Sequence, residues 1–251
     1  MEKKYKLVPE DTVTADDGSL LYRIMHLETE KLGGYIEGEE NLSHRGDSWI
    51  HDNAKVFGKA IIKDDAQVHG TAQIFDKAEV KGNATISNDA WVFGNAVVSA
   101  EAQISGHAIV CGKAIISGRA KVRGHARIAG KTTVSDNSMI SGDAQISGNV
   151  KIADFAQISE NAHVRENAVI VGHAQVMGSA EIRGNAEVSE NARVFGNASI
   201  ANEVKLLGNC RIFGNALIKG AVAVGEDVWV FGRVELNEGK YFGSRRLGTD
   251  E

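Results

Sequence analysis

The stretch Ala84-Thr85-Ile86-Ser87-Asn88-Asp89-Ala90-Trp91-Val92-Phe93-Gly94-Asn95-Ala96-Val97-Val98 decides the fold. Two slots recur in it: a small residue at 84, 90 and 96, and an aliphatic residue two places later, at 86, 92 and 98. On a helix, at about 100° per residue, positions two apart lie on nearly opposite faces, and steps of six scatter around the axis. On a strand, positions two apart share one face. Each hexapeptide therefore reads as a short strand with its small and aliphatic residues inward. The bend that follows is Gly-Asn, two residue types that tolerate positive φ.

Working outward in steps of six, the aliphatic slot runs from Ile50 to Leu236, 32 positions in all, and each holds Ile, Val or Leu. No insertion or deletion breaks this register. The small slot is mostly Ala; its exceptions include Thr132, Ser138, Val150, Val204 and Cys210. A longer period overlies the first. Phe57, Phe75 and Phe93 recur at every third hexapeptide, as do Phe195, Phe213 and Phe231, with Met177 one step earlier. Three hexapeptides thus make one coil, and like residues stack on successive coils. The expected fold is all-β: one parallel β-solenoid domain of about 10–11 triangular 18-residue coils.

Composition narrows the class. A chain of 251 residues with one Pro and 28 Gly is not a loop-rich enzyme of ordinary build. A net charge of −5 and abundant β-branched residues exclude disorder. No apolar run is long enough to span a membrane. Met1–Glu10 is charged and has no apolar h-region, so a signal peptide is not expected. Cys111 and Cys210 are several coils apart, too far to be bridged, which fits a reducing, cytoplasmic setting.

The ends lie outside the repeat. Lys4–Val8 and Leu20–Leu27 read as two strands of a hairpin around Asp16-Asp17-Gly18. Residues 1–49 are expected to be a hairpin and an irregular capping coil, 50–236 the solenoid, and 237–251 a tail or partial cap.

Ala-x-Val at every sixth residue resembles the hexapeptide-repeat family, and that resemblance implies a left-handed triangular parallel β-helix. One departure is regular: the family usually places Gly directly after the aliphatic anchor, and here it comes one residue later. Gly33-Gly34-Tyr35-Ile36-Glu37, Asn41-Leu42-Ser43 and Gly46-Asp47-Ser48-Trp49-Ile50 are similar to the opening segment of YdcK-like β-solenoids. These are often bacterial or phage-encoded and are labelled as acyltransferases.

Several outward side chains are candidates for chemistry. Hexapeptide acyltransferases typically use a catalytic His, often beside a looped insertion, and this chain has no insertion and no Pro after Pro9. His107 and His125, each in Gly-His-Ala, are the candidate general bases, three hexapeptides apart and so expected to stack at one corner. The plainer account is that His replaces Asn at a solvent-facing bend, as Lys113, Arg119 and Lys131 also do. From Ala102 to Ser135 there is no Asp or Glu. Lys121, Arg123 and Arg127, with Lys113 and Lys131, could there hold an anionic ligand or the phosphates of acetyl-CoA. Two outward apolar strips, Phe57/Phe75/Trp91/Phe93 and Met177/Phe195/Phe213/Trp229/Phe231, are expected to form a partner interface or to lie under the terminal segments. Arg193 and Arg211 beside the second strip suggest cation–π recognition as an alternative. No metal site is expected, because the His spacing does not match the zinc site of the γ-class carbonic anhydrases that share this fold. Nucleic acid and membrane are not expected as partners.

Together these readings predict a non-catalytic scaffold or binding protein without a cofactor, a homo-oligomer with a trimer favoured. The alternative is an acyl-CoA-dependent acyltransferase of the hexapeptide-repeat type. A third reading, from the opening segment alone, is a phage-associated structural or host-interaction protein.

Overall fold

The computed structural model describes residues 3–248. It is an all-β parallel solenoid of about twelve coils of roughly 18 residues, preceded by an antiparallel hairpin. The chain divides into two compact units, residues 1–124 and 125–251.

In both units the hexapeptide does what its side-chain pattern demands. Most strands are two residues long, with one residue outward and the aliphatic anchor inward. The anchors are buried up to Val230, as are the Ala slots between them. Coils are joined by parallel hydrogen bonds from alternate residues to the carbonyl one place short of a full coil later, as in Lys55 N–H to Ala72 at 2.9 Å and Gln175 N–H to Ala192 at 3.0 Å. Register is strict: Trp91 lies between Gln73 and Ile109, and Arg211 between Arg193 and Trp229. Thr132 and Ser138 fill the small slot as polar residues because each hydroxyl donates back to the carbonyl three residues earlier, Ala129 and Ser135. A buried hydroxyl without such a partner would be costly.

The bend differs from the expected form in one respect. Only its first residue has positive φ: Gly94 has φ 74°, and Asn95 does not share it. Asp, Glu, Asn and Ala100 occupy this same left-handed position in other coils.

In the first unit, β1 (Tyr5–Thr14), β2 (Leu20–His26) and β3 (Leu32–Ile36) form an antiparallel sheet. β3 then pairs in parallel with Lys55–Val56 and so begins the coils. Arg23 fastens the hairpin: its guanidinium packs over the Tyr35 ring at 4.1 Å and donates to Asp11 and to the carbonyls of Gly33 and Asp52. Tyr5 adds a second latch, its hydroxyl donating to the Leu42 carbonyl at 2.8 Å.

At the other end of the second unit, Glu235–Tyr241 and Arg246–Leu247 continue the parallel pairing. With β3, these segments carry the coil count above the ten to eleven given by the repeat alone.

Candidate functional site: two tryptophan-centred hollows

Because register is strict, a surface hollow here is built from two columns: the second bend residue and the outward strand residue of neighbouring coils. In the first unit, Thr71, Asp89 and His107 form the bend column, and Gln73, Trp91 and Ile109 the strand column. They enclose a hollow of about 430 Å³. The Thr71 hydroxyl donates to Asp89. His107 Nδ1 lies 3.6 Å from the other Asp89 oxygen, and both groups are more than half exposed.

In the second unit the same two columns make a hollow of about 480 Å³ from Asn209, Asp227 and Ser244 with Arg211, Trp229 and Arg246, joined by Arg245. Asp227 accepts from the Asn209 amide at 3.2 Å. The Arg211 and Arg246 guanidinium carbons lie 4.8 and 4.7 Å from the centre of the Trp229 ring.

The two hollows repeat one frame, a whole number of hexapeptides further along the sequence. Asp89, Trp91 and Phe93 correspond to Asp227, Trp229 and Phe231, and Phe75 to Phe213. Phe75 meets Trp91 edge-on at 6.3 Å and 76°, and Phe213 meets Trp229 at 6.3 Å and 73°. Only the neighbours differ: Gln73 and Ile109 flank one indole, two arginines the other.

The sequence-derived candidates fall as follows. His107, Lys113, Lys121 and Arg123 lie in the first unit and His125, Arg127 and Lys131 in the second, all of them exposed. Of these, the structure brings His107 into a hollow. Arg119, beside them, is paired with Glu101 at 2.9 Å. The aromatic strips do form ladders. Phe57, Phe75 and Phe93 stack at 5.1 and 4.8 Å, and Phe195, Phe213 and Phe231 at 4.9 and 5.3 Å. The first strip is not wholly outward as expected, however. Phe57 is 3% exposed, packed with Ala15, Leu21 and Tyr35 under the hairpin, and Val13 and Phe75 lie against that cluster. Trp91 remains open at 37%. In the second strip Met177, Phe195, Phe213, Trp229 and Phe231 are all half-buried. The cation–π contact expected for recognition is made within the chain, by Arg211 on Trp229.

Sequence reasoning missed Arg245 and Arg246, which it left in a tail, and Asp89 and Asp227. The signal for the aspartates was present: all three Trp of the chain sit in Asp-x-Trp, as Asp47-Ser48-Trp49, Asp89-Ala90-Trp91 and Asp227-Val228-Trp229. Among the described residues no group of three or more His, Cys, Asp or Glu side chains is placed to hold a metal ion. No helix among them is long and apolar enough to cross a membrane.

Stacked hexapeptide coils with an inward small-x-aliphatic pair define a parallel β-solenoid repeat protein. Within it, residues 102–118 match the YdcK β-solenoid repeat. Among solved structures, one described as a "putative acetyltransferase" from Desulfovibrio desulfuricans G20 is similar over 90% of this chain and 70% of that one, at 9% identity and a TM-score of 0.18. No curated protein matches the chain.

Proposed function

We propose that this protein is a non-catalytic β-solenoid scaffold that binds ligands or partners on its outer faces and self-associates, with a trimer as the favoured assembly. The observation that carries this reading is the duplicated hollow. One Asp-x-Trp frame is built twice on unbroken coils, with the ring surroundings varied and the scaffold kept, as a binding surface would be. The open Trp91 and Ile115, both among the exposed large apolar side chains, support self-association. The buried Cys210, its thiol pushed up to about 12 mainly by burial, suits a reducing cytoplasm.

The His107–Asp89 pair supports a second reading, acyl transfer from acetyl-CoA with His107 as the base. Thermal unfolding with and without millimolar acetyl-CoA separates the two. A ligand at 100 times its Kd stabilises by about 2.7 kcal/mol. The scaffold reading predicts no shift that depends on His107 or Arg123. A shift that His107→Ala or Arg123→Ala diminishes would overturn it. Light scattering tests the assembly: a trimer mass is expected, and a monomer at every concentration would contradict it.

A further inference from the structure

The hollow around Trp229 has chemistry that the scaffold reading does not use. Arg211, Arg245 and Arg246 line it, and among the described residues none of the three forms an ion pair. Elsewhere on the chain cations do find acids: Arg119 pairs with Glu101, Lys205 with Glu187 and Lys219 with Glu235. The single acid of the lining, Asp227, takes its amide hydrogen bond from Asn209 and no guanidinium. Three positive charges against one negative therefore share a concave space of about 480 Å³.

Two of these guanidinium groups are also held in place. In-register pairing sets Arg211 and Arg246 on the strands either side of Trp229, and both pack on its ring. A guanidinium packed on an aromatic ring keeps its N–H edge available, and less side-chain entropy is lost when that fork closes on an oxyanion. Arg245 reaches the hollow from the bend, and its carbonyl accepts the Trp229 backbone N–H at 2.9 Å. Asn209 and Ser244 add uncharged polar groups. Donors arranged on a strand face and a bend suit a tetrahedral oxyanion with three acceptor oxygens better than a flat carboxylate with two.

We propose that the Trp229 hollow is a binding site for a phosphate-bearing small molecule, held by the Arg211, Arg245 and Arg246 guanidinium groups. The proposal rests on the scaffold reading only in taking the outer face as the working surface. The hollow around Trp91 has Gln73 and Ile109 where these arginines stand, and is not a phosphate site on this account.

The probe is inorganic tripolyphosphate, titrated calorimetrically into the full-length protein at ionic strength held constant with chloride. One site per chain is expected. Arg211→Gln and Arg246→Gln should each weaken binding about tenfold or more. Lys151→Gln, which removes an equal charge from an exposed strand position, should leave it unchanged. Arg246→Lys keeps the charge and loses the fork, so it should also weaken binding. Unliganded melting temperatures within a few degrees of wild type show that each variant folds. The proposal is overturned if tripolyphosphate does not bind, if Lys151→Gln weakens binding as much as the arginine variants, if Arg246→Lys binds as wild type, or if citrate binds equally well. None of these outcomes depends on acetyl-CoA, so a failure here leaves the scaffold reading standing.

Discussion

The Asp76 carboxylate accepts a hydrogen bond from the backbone N–H of Gly94, 3.0 Å away and one coil further along. The same bond joins Asp52 to Gly70, Asp64 to Gly82, Asp154 to Gly172, Glu160 to Gly178, Glu166 to Gly184 and Glu190 to Gly208. In each pair the acid sits at the left-handed bend position with φ between 55° and 65°. The acid's outlay in backbone strain is offset by its bond to the next coil, where Gly leaves the N–H open to approach. At Gly94 itself an added Cβ would lie 2.9 Å from the Gly112 nitrogen.

Two substitutions separate these terms. Asp76→Ala removes one charge-assisted bond and should lower stability by about 1–2 kcal/mol. Gly94→Ala combines left-handed strain of about 1–2 kcal/mol with crowding against the next coil, so it should cost more. Denaturant unfolding reads both; equal stability of Gly94→Ala and wild type would refute the account.

Phe57 and Phe195 begin equivalent ladders but differ in cover. Phe57→Ala should cost about 3–5 kcal/mol, as for a buried core aromatic, and should expose residues 1–31 to limited proteolysis. Phe195→Ala, at a half-buried position, should cost less and leave the hairpin protected. If the order of the two losses were reversed, the hairpin would not be the cover.

His51 and His69 stack at 4.1 Å, and the His69 pKa is held below its ordinary value of 6.5 by burial first and by His51 second, with Asp52 opposing. A histidine with a depressed folded pKa binds fewer protons than its unfolded counterpart. Its contribution to stability is therefore present above 6.5 and lost as pH falls through the folded value. Melting temperature measured from about pH 7.5 down to about pH 5 should fall less steeply in His69→Gln than in wild type. Parallel curves would show that the depressed His69 pKa is not linked to folding.

Ser138 stands in a slot that Ala fills in most coils, and its one visible compensation is the bond to the Ser135 carbonyl at 2.6 Å. Ser138→Ala removes donor and desolvation cost together, so stability should change by no more than about 1 kcal/mol. A loss of several kcal/mol would mean that the hydroxyl does more than satisfy itself.

The solenoid was legible because its information is periodic: an inward Ala-x-Val at every hexapeptide forces a strand, and Phe57/Phe75/Phe93 reveal the coil of three hexapeptides. What was not legible is what breaks the period. Leu21 and Ala15 cover Phe57 from a hairpin whose placement no repeat encodes. Arg211 comes one full coil before Trp229 and could be placed by counting. Arg246 falls one place short of a full coil after it, so counting names its neighbour instead. The bend was half legible: Gly-Asn predicted left-handed backbone, but the acid-to-Gly bonds emerge only when two coils are stacked.

The central functional claim is that this surface binds without doing chemistry on acetyl-CoA. The most direct measurement is thiol release from millimolar acetyl-CoA by the purified protein in the presence of a panel of amine and hydroxyl acceptors, which would take the acetyl group, with His107→Ala and His125→Ala alongside. The account predicts release at the buffer rate for all three. Release above that rate which either substitution abolishes would contradict it and make the protein an enzyme.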